Sequence, residues 1–197
     1  MDVLVPLKRM DRAKSRLAAR LDPGERSRLM RALLERTLAE AARAPSLGRL
    51  VLVSSDPEAA AVATAHGIDW FDDRDLPWNE ALAAAMREAV RSDDVLVLSA
   101  DLPLVTSGDL ELFVASAPPR GLAIARARDR GTNAVLMRPA GAIATCFGVQ
   151  GRDGSAAGHA RLAAEAGLPA VILDVPGLAA DIDSPSDLDE LGAGLGF

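Results

Sequence analysis

A run of four apolar residues at positions 95–98 constrains the fold of this chain more than any other feature. The run does not alternate with polar residues, which is typical of a central parallel strand buried on both faces. Other short apolar runs recur along the chain, separated by longer stretches with helical spacing. We therefore expect an α/β fold in which helices cover both faces of a mostly parallel sheet.

The length of the chain favours one domain over residues 1–197, because 49% of the residues are hydrophobic and one core can bury them. Strands are predicted at residues 3–5, 50–53, 68–71, 95–98, 122–127, 132–137 and 171–175. Helices are predicted from residue 23 to about 44, over an alanine-rich stretch that ends at about residue 66, from 79 to about 90, and at 155–166 and 185–191. In the first helix Asp22 suits the N-cap and Glu25 the capping box, and Pro45 ends it.

The composition excludes several classes of protein. The net charge of −6 argues against a general nucleic-acid binder but leaves a nucleotide substrate open. Cys146 is the lone cysteine and there are two histidines, so a disulfide framework or a cysteine-based zinc site is ruled out. The N-terminus does not resemble a signal peptide, and no apolar run reaches the ~18 residues of a membrane span. We expect a cytoplasmic enzyme.

Acidic residues near two predicted element ends are the first candidates for chemistry. Asp101 follows the strand at 95–98, where ligands bind in open α/β sheets, and it suits Mg²⁺ held against a triphosphate. A turn-forming aspartate is the alternative. In the segment 181–188, Ser184 and the residues after it read as a helix start. Asp181 and Asp183 alternate on an extended segment, so we expect only one of them to face a site shared with Asp101.

A basic segment over residues 8–16 directly follows the first strand. A solvated charge run is the ordinary explanation of such a segment. A loop leaving the first strand, however, lies over the ligand crevice of the sheet, where its cations would meet phosphates. The chain has neither a GxxxxGK[ST] nor a GxGxxG motif, so a P-loop kinase and a dinucleotide binder are not supported.

A glycine-rich region of the second half ends in a predicted helix start. It comprises Gly131-Thr132-Asn133, Phe147-Gly148, Gly151, Gly154 and Ser155. Glycines followed by a serine at a helix start form an anion site, although a flexible loop with a serine N-cap gives the same pattern. His159 lies on the same helix face as Ser155, as a second phosphate contact or as a packed residue.

Taken together, the motifs resemble one family of enzymes over nearly the whole chain. The matching segments are Val5-Pro6-Leu7-Lys8, Ala13-Lys14-Ser15-Arg16-Leu17, Ser54-Ser55-Asp56, Asn79-Glu80-Ala81-Leu82, Asp101-Leu102-Pro103, Gly131-Thr132-Asn133-Ala134, Phe147-Gly148, Ser155 with His159, and Asp181-Ile182-Asp183-Ser184-Pro185. The chain resembles the 2-phospho-L-lactate or phosphoenolpyruvate guanylyltransferases of coenzyme F420 biosynthesis. The last segment is shared with other nucleotidyltransferases, whereas the lysine segment, Gly-Thr-Asn and the Ser/His helix are more specific.

The resemblance implies a nucleotidyltransferase fold related to glycosyltransferase A. It also implies a reaction in which a small phosphorylated acid takes GMP from GTP and pyrophosphate is released. Phosphoenolpyruvate is the first expectation for this acid, followed by 2-phospho-L-lactate and 3-phospho-D-glycerate. The implied cofactor is Mg²⁺, and the oligomeric state stays open between a monomer and a homodimer.

Residue roles follow from the same resemblance. Asp101 and Asp183 are predicted to hold the metal, with Lys14 completing the catalytic set. Nucleotide contacts are predicted at Pro6, Lys8, Lys14, Ser54 and Asn79. Acceptor contacts are predicted at Thr132, Gly148, Ser155 and His159. The family pattern Phe-Gly-x-x-Ser is longer here, so the acceptor glycine is open among Gly148, Gly151 and Gly154.

The nucleophile implied by the family is a phosphate oxygen, which is already ionised at neutral pH and needs no general base. Two other functions stay open. One is a nucleotidyltransferase of the molybdopterin or sugar-phosphate type, although the former usually begins with a glycine-rich loop that is replaced here by Pro6-Leu7-Lys8. The other is a nucleotide-binding paralogue without turnover.

Overall fold

The computed structural model of the chain describes residues 1–10, 13–148 and 153–192. In these residues the strands are β1 (Asp2–Pro6), β2 (Leu50–Val53), β3 (Asp69–Phe71), β4 (Val95–Leu98), β5 (Gly121–Arg126), β6 (Thr132–Arg138) and β7 (Ala170–Leu173). The helices are α1 (Pro23–Arg43), α2 (Pro57–His66), α3 (Trp78–Glu88), α4 (Ser107–Ala115), α5 (Gly154–Glu165), α6 (Pro176–Ala179) and α7 (Pro185–Leu191).

The strands form one sheet in the order β3-β2-β1-β4-β6-β5-β7. Within the described sheet β6 runs opposite to the other strands, being antiparallel to both β4 and β5. The remaining pairs are parallel. The side chains of Val95–Leu98 are fully buried between β1 and β6. The predicted mostly parallel sheet is therefore confirmed, as is the central strand.

Helices cover both faces of the sheet, as predicted. Val3 and Val5 of β1 face a core layer that includes side chains of α1, α2, α4, α6 and α7. Leu4, between them, faces the opposite layer with α3 and α5, because successive side chains of a strand point to opposite faces. Among the described residues, no helix combines the length and the apolar character needed to cross a membrane.

Capping motifs set the ends of the best-predicted helices. The Asp22 carboxylate accepts the Glu25 N–H at 2.8 Å, and the Glu25 carboxylate accepts the Asp22 N–H at 2.8 Å. This capping box starts α1 at the predicted position. Ser184 and Asp187 form a second capping box, which starts α7 and holds the chain that leaves Asp183.

Two helices were absent from the sequence prediction. α4 begins with a capping box between Thr106 and Asp109, and α6 begins at Pro176. The predicted strand at 171–175 ends at Leu173 because Val175 is already the N-cap of α6. Both helices pack on the sheet face that carries α1, and α6 carries the chain back towards the acidic segment at 181–183.

The buried carboxylate of Asp2 offers a test of the start of the sheet. It accepts bonds from the Arg49 guanidinium at 2.8 Å, the Arg91 N–H at 2.6 Å and the Ser92 hydroxyl at 2.9 Å. Burial opposes ionisation, but these donors together lower the pKa of Asp2 to about 2. Its ionised form therefore stabilises the fold above the unfolded pKa of about 4, and this contribution is lost as the pH falls towards 2.

We expect Asp2→Asn to lower the free energy of unfolding by about 2 kcal/mol at neutral pH. Urea unfolding of both proteins between pH 7 and pH 3 should show the difference shrinking with acidity. Asp69→Asn is the matched control, because Asp69 also binds Arg49 but is exposed. A difference that does not change with pH would contradict this account of Asp2.

Candidate active site

Two adjoining clefts open beyond the carboxyl ends of β1 and β4. The larger one, of about 680 Å³, is lined by three predicted acceptor residues: Thr132, Gly148 and Ser155. The smaller one, of about 170 Å³, is lined by three predicted nucleotide residues: Pro6, Lys8 and Lys14. The residues that line both clefts are Trp78, Ser99, Asp101 and Asp183. The predicted metal ligands therefore lie where the two clefts meet.

The Lys14 ammonium is held between two carboxylates at this junction. Its Nζ donates to Asp101 and, at 2.8 Å, to Asp183. The Lys14 side chain is only 4% exposed, so the charge is largely removed from water. Burial alone would lower the pKa of Lys14, but the charges of Asp101 and Asp183 raise it above its ordinary value. Lys14 is therefore a permanent cation in the site.

Asp181 joins the same acidic cluster. One carboxylate oxygen from each of Asp101, Asp181 and Asp183 lies within 4.8 Å of the others. The prediction that only one of Asp181 and Asp183 faces Asp101 is therefore wrong. Residues two apart on an extended segment point to the same side, and the fully buried Ile182 points to the other. Burial and the charges of Asp101 and Asp183 raise the pKa of Asp181 to about 7.

The donor set of this cluster fits a hard divalent cation. Magnesium prefers carboxylate oxygens together with phosphate and water oxygens, and three carboxylates converge here next to an open cleft. Burial is the largest cause of the raised pKa of Asp181, and the charges of Asp101 and Asp183 add to it against the opposing effect of Lys14. Asp101, Asp181 and Asp183 are therefore the residues that could hold a metal ion.

The loop after β1 brings its basic residues to the clefts in different ways. Lys14 has a left-handed backbone conformation, with φ 54° and ψ 36°, just before a short 3-10 turn at Ser15–Leu17. Lys8 Nζ donates to the Leu76 carbonyl at 2.5 Å and so is tied to the chain that precedes α3. Arg16 is largely exposed and lines the larger cleft, 3.9 Å from Asp183. Of these cations, Lys14 is the one that contacts the acidic cluster most closely.

Three polar side chains form a buried group at the start of α5. The Thr132 hydroxyl lies 3.0 Å from the Ser155 hydroxyl and 3.1 Å from His159 Nδ1. The other ring nitrogen, His159 Nε2, accepts the Cys146 N–H at 3.0 Å. The predicted acceptor contact at His159 stays a prediction; in this structure the ring is fully buried, and both nitrogens are bonded within the protein. Ser155 and Thr132 do reach the larger cleft.

The start of α5 differs from the prediction in one respect. α5 begins at Gly154 with Asp153 as the N-cap, so Ser155 does not cap it. Both Gly148 and Gly154 line the larger cleft, and each has a positive φ, of 69° and 74°. Gly151, the third candidate for the acceptor glycine, lies outside the described residues.

Ser54 and Asn79 do not face either cleft. Ser54 is fully buried, and its hydroxyl accepts the Asp56 N–H at 3.1 Å. The Asn79 amide pairs with the backbone of Phe147, accepting its N–H at 2.9 Å and donating to its carbonyl at 3.1 Å. Their predicted contacts with guanosine stay predictions; in this structure the Ser54 hydroxyl oxygen and the Asn79 amide bond the backbone.

A comparison with known protein families shows to which family the chain belongs. The family described as "Guanylyl transferase CofC like" matches residues 1–193. The chain belongs to this family. A phosphoenolpyruvate guanylyltransferase from Sphaerobacter thermophilus is 42% identical over 191 residues, covering 95% of this chain and 90% of the relative. Another enzyme of that name, from Chloroflexus aggregans, is 35% identical and covers 94% of each chain.

Solved structures similar to this CofC-like chain support the fold. A nucleotidyl transferase from Methanothermobacter thermautotroptrophicus superposes with a TM-score of 0.64, at 17% identity, over 98% of this chain and 97% of that one. A 4-diphosphocytidyl-2C-methyl-D-erythritol synthase gives a TM-score of 0.66 at 16% identity, with the same coverage. The predicted nucleotidyltransferase fold is confirmed.

Several residues that line the site of this CofC-like chain were not predicted from the sequence, among them Ser99, Trp78 and Asp129. Trp78 lines both clefts, and its indole N–H is buried without a hydrogen-bond partner among the described residues. The available signal was its position directly before the family residue Asn79. Asp129 lines the larger cleft, and its carboxylate accepts the Gly131 N–H at 2.7 Å. Its charge also contributes to the raised pKa of Asp181.

The two described glycines are expected to differ in their tolerance of a side chain. A Cβ on Gly154 would lie 2.1 Å from the Arg130 carbonyl oxygen, whereas a Cβ on Gly148 meets nothing within 4 Å. Gly148→Ala should cost about 1–2 kcal/mol of stability, from the positive φ alone. Gly154→Ala should cost more, because the backbone must move. Chemical unfolding of both variants tests this, and equal losses would contradict the close approach at Gly154.

Proposed function

We propose that this CofC-like protein transfers GMP from GTP to phosphoenolpyruvate and releases pyrophosphate. The names of the relatives at 42% and 35% identity support this substrate class. The observation that carries the proposal is the convergence of three carboxylates and Lys14 at the junction of two clefts. The two adjoining clefts can then hold the nucleotide and the acceptor together, with the reacting phosphorus at their junction.

The proposed reaction is an in-line substitution at the α-phosphorus of GTP. A phosphate oxygen of the acceptor forms the new P–O bond, and the bond to the β-phosphate oxygen breaks with its electron pair. Pyrophosphate leaves, and the product is a guanosine-diphospho acid, which we propose as a precursor of coenzyme F420. No proton has to be removed from the nucleophile, because a phosphate oxygen is already ionised at neutral pH, so this chemistry requires no general base.

The main barrier is the repulsion between an anionic acceptor and an anionic nucleotide, so positioning and positive charge are what the protein must supply. We assign Lys14 to the nucleotide phosphates, because its ammonium is buried at the junction and permanently charged. Asp101, Asp181 and Asp183 would hold Mg²⁺, which when bound would neutralise phosphate charge. Pro6 and Lys8 are assigned to the nucleotide side, since they line the smaller cleft.

On the acceptor side we assign Thr132, Ser155 and Gly148. Their hydroxyl groups and backbone border the larger cleft, where a small acid with a carboxylate and a phosphate finds hydrogen-bond donors. The assignment of Gly148 is also supported by the adjacent Phe147, whose backbone N–H and carbonyl are both hydrogen-bonded to the Asn79 side chain.

A nucleotide and acceptor panel tests the proposal. The purified protein is incubated with Mg²⁺, one of GTP, ATP, CTP or UTP, and one of phosphoenolpyruvate, 2-phospho-L-lactate or 3-phospho-D-glycerate. We expect pyrophosphate release, and a new diphosphate signal in ³¹P NMR, with GTP and phosphoenolpyruvate. Release with another phospho-acid would correct the acceptor, and release with another nucleotide would correct the donor. No release with any pair, together with GTP binding that persists in EDTA, would overturn the proposal.

A further inference from the structure

His159 sits behind the acceptor side of the larger cleft without reaching it. Its ring is fully buried on α5 and packs edge-on against Phe147, with the ring centroids 4.9 Å apart. Its two nitrogens join two separate parts of the acceptor side, the Cys146 backbone and the Thr132 hydroxyl. A buried histidine whose two nitrogens are both hydrogen-bonded does not contact a ligand in the cleft directly. Its effect on the ligand passes through the groups that it binds.

The protonation of the His159 ring is fixed by its partners. Burial lowers the pKa of His159 to about 4, against a smaller opposite effect of the Ser155 carbonyl, so the ring is neutral at pH 7. Nε2 accepts the Cys146 N–H and therefore carries no hydrogen. The single ring hydrogen of a neutral histidine must then be on Nδ1, which faces the Thr132 hydroxyl and the Ser155 carbonyl.

This tautomer sets the directions in which the hydroxyl hydrogens of Thr132 and Ser155 point. A protonated Nδ1 cannot accept a hydrogen bond, so the Thr132 hydroxyl cannot donate to it. The Thr132 hydrogen is left to point to the Ser155 oxygen, 3.0 Å away. Ser155 then accepts from Thr132, and its own hydrogen is free to point into the larger cleft, which Ser155 lines.

We infer that His159 is a positioning residue that sets a chain of donors, from Nδ1–H through Thr132 to Ser155, so that the Ser155 hydroxyl donates into the cleft. Because these hydrogen bonds all donate towards the cleft, the Ser155 hydroxyl favours a ligand group that only accepts hydrogen bonds, such as an ionised carboxylate or phosphate oxygen of the acceptor. The inference rests on the proposed function for the identity of the acceptor, but the order of the hydrogens does not depend on turnover.

Two conservative variants separate the two nitrogens of the ring. The amide nitrogen of His159→Asn can take the place of Nδ1–H and keep the donor to Thr132, while the bond to Cys146 is lost. The amide oxygen of His159→Gln can take the place of Nε2 and keep the Cys146 bond, while the donor to Thr132 is lost. Both variants lose the ring contact with Phe147, whose backbone Asn79 still holds in each case.

We expect His159→Gln to raise the KM for phosphoenolpyruvate about tenfold, as the loss of one hydrogen bond to a charged group would. The KM for GTP should stay within about twofold, and His159→Asn should stay within about threefold of the wild type for both substrates. A purely structural role predicts instead that both variants lose activity in proportion to their loss of stability. Equal effects of the two variants on acceptor KM would overturn the inference.

The connection through Thr132 is tested by a double-mutant cycle. If the effect of His159 passes through the Thr132 hydroxyl, His159→Gln should have no further effect on acceptor binding in a Thr132→Val background. Additive effects would overturn the inference. Dissociation constants for phosphoenolpyruvate, measured by calorimetry, give the same comparison without nucleotide transfer, so that a failure of the proposed function is recognised separately.

The tautomer itself is visible by NMR. The chain has two histidines, so His66→Gln leaves His159 as the single source of imidazole signals. In ¹⁵N-labelled protein at pH 7 we expect a neutral ring with the hydrogen on Nδ1. A ring with the hydrogen on Nε2, or a doubly protonated ring, would overturn the inference whatever the activity of the protein.

Discussion

Asp101→Asn should lower kcat for GMP transfer by about 10³-fold, a loss typical of removing a principal electrostatic group from an active site. The Asp101 carboxylate lies at the junction of the clefts, accepts a hydrogen bond from Lys14 and converges with Asp181 and Asp183. An amide oxygen is a weaker ligand for a hard cation and leaves the site with one negative charge fewer. Pyrophosphate release at saturating substrates measures the effect.

The control for this variant is Asp189→Asn. Asp189 is 61% exposed and pairs with Arg20 on the surface, so its loss should leave kcat nearly unchanged. Thermal unfolding of both variants shows whether a loss of activity follows a loss of folded protein. If Asp101→Asn kept kcat within about tenfold of the wild type, the acidic cluster would not be the seat of the electrostatic stabilisation that the proposal requires.

Lys14→Met should reduce turnover by about 10²-fold and at the same time strengthen metal binding. The ammonium contacts two of the three carboxylates that would hold a metal ion, so the ion and the lysine cannot both keep these contacts. Methionine fills a similar volume without the charge. We expect the dissociation constant for Mn²⁺, measured by calorimetry or by EPR, to fall about tenfold because a competing cation has been removed.

Lys8→Met is the matched control for this second variant. Lys8 lies in the same loop, but its Nζ is tied to the Leu76 carbonyl and lies 3.9 Å from Asp73, away from the acidic cluster. Its loss should leave Mn²⁺ binding unchanged. A weaker affinity for Mn²⁺ in Lys14→Met would contradict the competition and would assign the lysine to holding the carboxylates in place.

The sequence predicted those parts of the fold whose signals are local. The capping box of Asp22 and Glu25 set the start of α1, and the unbroken apolar run at Val95–Leu98 marked the central strand. α4 was missed although Thr106 and Asp109 form the same kind of capping box, because its apolar residues follow one another closely and do not show a clear helical period. The antiparallel pairing of β5 and β6 follows from the short connection between them, because parallel strands need a longer crossover, whereas the pairing of β6 with β4 is long-range and no local pattern encodes it.

At the site, the sequence indicated which residues are present but not what their polar atoms bind. The family motif includes Asn79 and His159, yet neither lines a cleft. Asn79 accepts the Phe147 N–H, and His159 accepts the Cys146 N–H. The two-residue spacing of Asp181 and Asp183 places both side chains on one side of an extended chain, so that both face Asp101. Side-chain direction in irregular segments follows from packing, here from the burial of Ile182.

The reversed strand β6 has a consequence for how new specificities can arise. Because β6 begins where β4 ends, with the Asn133 carbonyl bonded to the Ser99 N–H, the residues proposed for the acceptor all come from one continuous stretch, 132–155. The residues proposed for the nucleotide, Pro6, Lys8 and Lys14, come from the first 14 positions. A change of acceptor specificity can therefore be sought by substitutions within residues 132–155, with the hydrogen bonds between Asn79 and Phe147 kept.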